Sequence, residues 1–202
     1  MTDPMRRLSA LPVLAVWLGL ARCAPSDPLD RVVSVPTASR FAIWRSSVAS
    51  DSSAATRQQV EAALQEIRID AAADRQRRRI LGEPVQASGT EEVDEAVRSR
   101  VDGRPLREVV QLGCELRLRR LTNELKALEE AVDQNAQLVT RPGDGESRRH
   151  LEELRGRQLA RVEKYREEIA AAERELAPLL AKTGRRVLAE PLDKVEQMPV
   201  RR

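Results

Sequence analysis

From residue 105 to residue 139, side chains of one kind recur in alternating steps of four and three. Cys114, Leu118, Leu121, Leu125, Leu128, Val132 and Val139 carry the apolar pattern, and Asn135 is its polar member. A seam held for more than three heptads predicts one continuous helix packed along another. The pattern stops at Thr140, where Pro142, Gly143 and Gly145 form a strong turn signal. A second seam then runs through Leu151, Gln158, Val162, Tyr165, Ile169, Ala172, Leu176 and Leu179, with Leu154 and Leu159 beside it. It predicts a helix over 148–183, capped by Ser147 and stopped by Gly184.

Two such helices across a tight turn cover each other's seams when they lie antiparallel. Residues 104–183 therefore predict an antiparallel coiled-coil helical hairpin. Each helix has about 35 residues, or about 50 Å of length. Leu118, Leu121, Leu125, Leu128 and Val132 should face Val162, Tyr165, Ile169, Leu176 and Leu179. Asn135 fits either a register-fixing polar position or a frayed turn at the tip. Pro178 predicts a kink or an early end to the second helix.

Upstream, Val60, Leu64, Ile67 and Ala71 follow helical spacing and predict a helix over 54–81, ended by Gly82 and Pro84. Arg75, Arg77, Arg78 and Arg79 crowd its last turns, where cations suit the unsatisfied carbonyls. A shorter helix over 91–101 follows, with Ser88 and Glu91 at capping-box spacing. Asp102 and Gly103 make a turn, and Pro105 suits the first position of the next helix. Residues 54–103 thus form a small helical region. Residues 23–53 read as a flexible tether, because Pro25, Pro28, Pro36 and a run of serines interrupt regular structure. Phe41 and Trp44 make an apolar patch within it that should dock on the following helix. Residues 184–202 read as an irregular basic tail. The fold class is all-α.

The first 22 residues read as an export signal. Arg6 and Arg7 precede residues 8–21, which are apolar apart from Ser9. Such a segment is set aside from fold reasoning. At about 14 residues, with Pro12 inside it, the run falls short of the roughly 20 needed to span a bilayer. Translation can begin at Met1 or at Met5. Leu20, Ala21, Arg22 and Cys23 resemble a bacterial lipobox. The resemblance implies that Cys23 becomes the lipidated N-terminus of the mature chain. Leu20 and Ala21 fit that pattern, while Arg22 stands where a small residue is usual. Cleavage after Ala21 by an ordinary signal peptidase is the alternative, and it gives a soluble periplasmic or secreted protein. With Cys23 lipidated, Cys114 has no intrachain disulfide partner. It reads as a small apolar residue on a packed helix face.

Charged residues make up 33% of the chain and aromatics 2%, which favours long helices over a broad globular core. The net charge of +3 is partly the signal's. Without residues 1–22 the chain keeps 32 basic and 31 acidic side chains, a net of +1. That balance argues against general nucleic-acid binding, which needs a concentrated positive field. Glu115 with Arg119, Lys126 with Glu130, Arg149 with Glu153 and Lys164 with Glu168 have the spacing of exposed helical pairs.

Catalytic patterns are lacking. His150 is the only histidine and falls near the hairpin tip. One histidine and two separated cysteines do not form a zinc site. No Gly-rich phosphate loop of the P-loop or dinucleotide type occurs. Glu152 and Glu153, or Glu167 and Glu168, are adjacent on a helix and diverge. The sequence therefore leads us to expect no enzyme, catalytic residue, cofactor or metal. It reads as an exported bacterial envelope protein, a non-catalytic helical scaffold or adaptor. Its expected contacts are a protein partner through the hairpin and a membrane through lipid at Cys23, with no nucleic acid. An export signal, a pI near 9.2 and a long hairpin are also similar to the small helical chaperones of outer-membrane proteins. That resemblance implies a periplasmic holdase as the alternative. The docking arm of an efflux adaptor would require β-rich domains, and no strand-rich stretch supplies them.

Overall fold

The structure, a computed structural model, describes residues 27–85, 88–139 and 145–188. The expected export signal, Cys23 and residues 189–202 lie outside the described residues. A 3-10 turn at Pro28–Asp30 comes first. Five helices follow: α1 Ala38–Asp51, α2 Ala54–Ile80, α3 Gly89–Val101, α4 Leu106–Val139 and α5 Gly145–Thr183. Among the described residues the only β pairing is an isolated antiparallel bridge between Val32 and Pro105.

Local chemistry sets most of the boundaries. The Ser53 hydroxyl accepts from the Thr56 amide at 3.1 Å and opens α2. Gly82, at φ 74°, takes the left-handed conformation that closes it. Thr37 accepts from the Arg40 amide at 3.3 Å and opens α1. Pro105 precedes α4 rather than occupying its first turn, and its carbonyl accepts the Val109 amide at 3.2 Å. The expected capping box at Ser88 does not form, since that side chain makes no cap hydrogen bond. Glu92, rather than Glu91, is engaged, and it accepts from Arg75 at 2.9 Å and Arg78 at 2.5 Å. Those arginines thus tie the end of α2 to the start of α3. Ser147 lies inside the first turn of α5 rather than capping it. Pro178 does not end α5, which continues to Thr183. The proline is exposed, so the carbonyl it leaves unpaired is at the surface.

One core cluster draws on Val33 and Val35, on Val60, Leu64 and Ile67 of α2, on Val93, Val97 and Val101 of α3, and on Leu106 to Leu116 of α4. The first half of α4 is its axis. Leu106, Arg107, Val109, Val110, Gln111, Leu112, Glu115 and Leu116 are all buried, so this stretch is enclosed on every side. The expected division at residue 103 therefore falls inside a shared core. Gly113 explains how α2 and α4 come so close. A Cβ added there would lie 2.3 Å from the Ala63 Cα.

Residues 27–53 correct the flexible-tether expectation. Val33 and Val35 are fully buried despite the prolines and serines around them. Their segment is bonded to the α3–α4 turn: the Val33 amide to the Arg104 carbonyl and the Gly103 amide to the Val33 carbonyl, each at 2.8 Å. The Val35 amide donates to the Asp102 carboxylate at 2.6 Å. Phe41 and Trp44 lie on α1, stacked at 5.7 Å and packed against the core. Extended backbone is stable here because its amides find partners and its alternate side chains face the core.

Beyond the core, α4 and α5 continue together. Arg117 binds Glu175 at 3.2 Å, Glu129 accepts from Arg166 at 2.8 Å, and Asn135 donates to Gln158 at 2.8 Å. Partner numbers fall on α5 as they rise on α4. Leu118, Leu121, Ala172 and Leu176 form a second buried cluster, with Tyr165, Ile169 and Cys114 packed against it.

Candidate anchor and arm

Two polar locks hold residues 27–30 and 185–188 on the buried half of α4. In the first, the Arg107 guanidinium, 9% exposed, binds Asp27 at 2.8 Å and Asp30 at 2.8 Å. Lys182 of α5 reaches the same Asp27 carboxylate at 3.3 Å. The Arg107 hydrogen bond, helped by the Leu29 amide, holds the Asp27 carboxyl down to about 2 from its ordinary 3.8. A depressed carboxyl stabilises the fold above its unfolded value and stops doing so as pH falls through its folded value. We therefore expect the N-terminal segment to loosen between about pH 4 and pH 2. Carboxyl chemical shifts of Asp27, followed with amide exchange of Leu29, report this directly. An Asp27 that titrates near 4 would show that the lock is absent.

The second lock fastens the end of α5. Glu115 is 3% exposed, and Gln111 is fully buried. The Gln111 amide donates to Glu115 at 2.8 Å and to the Arg185 carbonyl at 2.7 Å. The Thr183 hydroxyl donates to the Gln111 side-chain oxygen at 2.7 Å. Glu115 also accepts the Val187 amide at 3.2 Å and the Leu188 amide at 2.7 Å. Several amide donors at a buried carboxylate offset its desolvation. Residues 184–188 are irregular, as expected of the tail, yet they are fixed on α4. Glu115 is therefore not the exposed partner of Arg119, which binds Asp70 of α2 at 2.5 Å instead. Of the four expected surface pairs, Lys164 with Glu168 forms, at 3.7 Å.

The ten predicted seam residues fall into three groups. Leu118, Leu121 and Leu176 meet in the second cluster, with Tyr165 and Ile169 on its edge. Leu179 joins the main core instead. Farther out, Val132 and Val162 are buried while Leu125 and Leu128 are half-buried, as a pair of helices without further cover requires. Asn135 takes the polar-pair alternative, with Gln158 opposite it. His150, near the start of α5, is exposed.

Cys114 lies between the two clusters, and burial pushes its thiol up to about 11. A thiol held protonated is a poor nucleophile, which suits the packing role expected of it. Cys23 lies outside the described residues. No helix among the described residues is long and apolar enough to cross a membrane, and no group of three or more His, Cys, Asp or Glu there could hold a metal ion. Sequence reasoning missed Arg107, Gln111 and Glu115, because heptad positions outside the seam read as solvated. It also missed Val33 and Val35, although their alternation with Val32 and Ser34 is the period-two signal of a half-buried extended segment. No protein family, curated protein or solved structure matches this chain.

Proposed function

We propose that the chain is an exported, lipid-anchored and non-catalytic scaffold of a bacterial cell envelope. In this reading α4 and α5 form an antiparallel coiled-coil hairpin that presents a protein partner at a fixed distance from the membrane. One observation carries it. Asp27, four residues after the candidate lipidation site Cys23, is locked onto the base of the same helix that becomes the arm. Four residue steps span at most about 14 Å, so an anchor at Cys23 would hold the base at the bilayer surface. From Arg107 to Val139, α4 rises about 48 Å, which gives the arm its reach.

Reach is the testable property. Deleting residues 122–128 and 165–171 removes one heptad from each helix and keeps Asn135 level with Gln158. The arm shortens by about 10 Å. The variant should remain helical and soluble, yet fail to restore function to cells lacking the gene. His150→Ala should restore it fully. Loss of function from His150→Ala in a folded protein, with the shortened arm still active, would overturn the scaffold reading. A holdase is the second reading, favoured by the exposure of Leu138 (41%) and Leu159 (45%) on the arm. Crosslinking in the native envelope separates the two: a scaffold yields one fixed partner, a holdase many unfolded clients.

A further inference from the structure

We propose that the end of the bundle where α4 begins is the face that meets the membrane, through Arg31, Arg104 and Arg186 on anionic phospholipid headgroups. The inference deepens the lipid-anchor reading above and relies on it for the short leash.

Three chain segments converge at this end. The Arg31 carbonyl accepts the Leu106 amide and the Arg104 carbonyl accepts the Val33 amide, each at 2.8 Å. Arg186 follows Arg185, whose carbonyl is bonded to Gln111 one turn along from Arg107. Residues 27–32, 102–108 and 182–188 together hold six cations and four carboxylates, a net of +2. Ion pairs engage Arg107, Lys182 and Arg185 with Asp27, Asp30 and Glu108. Arg31 and Arg186 are exposed and Arg104 is half-buried, and none of the three enters an ion pair among the described residues. Val32, which follows Arg31 and pairs with Pro105 beside Arg104, is 63% exposed.

Guanidinium groups match phosphate oxygens in a planar, two-point geometry. Each cation near an anionic leaflet raises partitioning about fivefold, so three together contribute about a hundredfold. The leash decides in favour of a membrane as the occupant. An acyl chain at Cys23 would place the bilayer within about 14 Å of Asp27, the residue that Arg107 and Lys182 hold at this end. Contact at the base sets the arm upright, with the tip about 50 Å from the surface. A leash alone would leave the arm free to lie along the bilayer.

The test uses the full chain, purified with its native N-terminus and reconstituted in vesicles of equal parts phosphatidylglycerol and phosphatidylcholine. A fluorophore is placed at Ser34→Cys or at Glu152→Cys, and energy transfer to a headgroup-labelled lipid is measured. Cys114 is half-buried and burial raises its thiol, so it labels more slowly than an exposed cysteine, and the chain without an added cysteine sets the background. Transfer from position 34 should exceed that from position 152 severalfold. The contrast should narrow in pure phosphatidylcholine, at high salt, and in the triple variant Arg31→Glu, Arg104→Glu, Arg186→Glu, because position 152 gains transfer once the leashed arm is free to lie along the bilayer. Equal transfer from both positions overturns the proposal, as does a contrast undiminished in pure phosphatidylcholine. Should the triple variant lose helicity, the pure phosphatidylcholine arm decides alone. A second label appearing at Cys23 marks an unlipidated chain. That result overturns the lipid anchor and, if the contrast persists, leaves the membrane face standing.

Discussion

Alanine in place of Gly113 should destabilise the protein, while alanine in place of Gly156 should stabilise it. Both glycines lie inside long helices, where glycine costs up to about 1 kcal/mol relative to alanine. Their surroundings set opposite signs. A Cβ at position 113 would lie 2.3 Å from the Ala63 Cα and 3.0 Å from its carbonyl carbon. Backbone atoms cannot rotate out of the way, so α2 and α4 must part, and the core they share must open with them. Such overpacking costs about 1–3 kcal/mol for a small group, and valine at this position should cost more. At position 156 nothing lies within 4 Å, so alanine there recovers the propensity term alone. Thermal melts should show Gly113→Ala lowered by several degrees, Gly113→Val lowered further, and Gly156→Ala raised by a few degrees. Equal effects at the two positions would show that α2 and α4 do not meet at Ala63.

Leu121→Asp should have the largest single effect on the arm. Leu121 is 2% exposed and packs with Leu118, Ala172 and Leu176 where α4 leaves the core. Aspartate removes the buried leucine contact, worth about 2–5 kcal/mol on truncation, and adds a carboxyl that must be desolvated or stay protonated. The sum is a large share of the 5–15 kcal/mol typical of a domain. Circular dichroism should show early melting, and hydrogen exchange should show α5 losing protection before α2 and α3. Leu125→Asp, one turn outward at a half-buried position, should cost markedly less. Similar costs at the two positions would mean that the second cluster does not carry the junction.

The periodic part of this fold was legible in the sequence. Leu118, Leu121 and Leu176 repeat at seam spacing and face each other because a heptad seam has one direction in which to bury. The turn residues at 82, 103 and 184 are glycines with positive φ, a conformation few other residues adopt. What could not be read is the part built from contacts distant along the chain. Arg107 meets Asp27 and Asp30 some eighty positions away, and Glu115 meets the amides of Val187 and Leu188 more than seventy away. Helical periodicity reports the face a residue occupies, not the segment that later covers it. Glu115 therefore reads as solvated until residues 185–188 are seen to lie on it. Val33 and Val35 failed differently: two alternating valines are too short a signal against three prolines and a run of serines. Their burial changes the functional picture, because it takes residues 27–53 out of the expected tether of residues 23–53.

The short stretch of sequence from Cys23 to Asp27 makes the state of Cys23 the decisive quantity. The protein should be isolated from the membranes of its native cell, and its N-terminal peptide analysed by mass spectrometry. The lipid-anchored scaffold predicts a mature chain that begins at Cys23, with a diacylglyceryl thioether on its sulfur. A mature chain that begins at Arg22, with an unmodified cysteine beside it, would contradict the anchor.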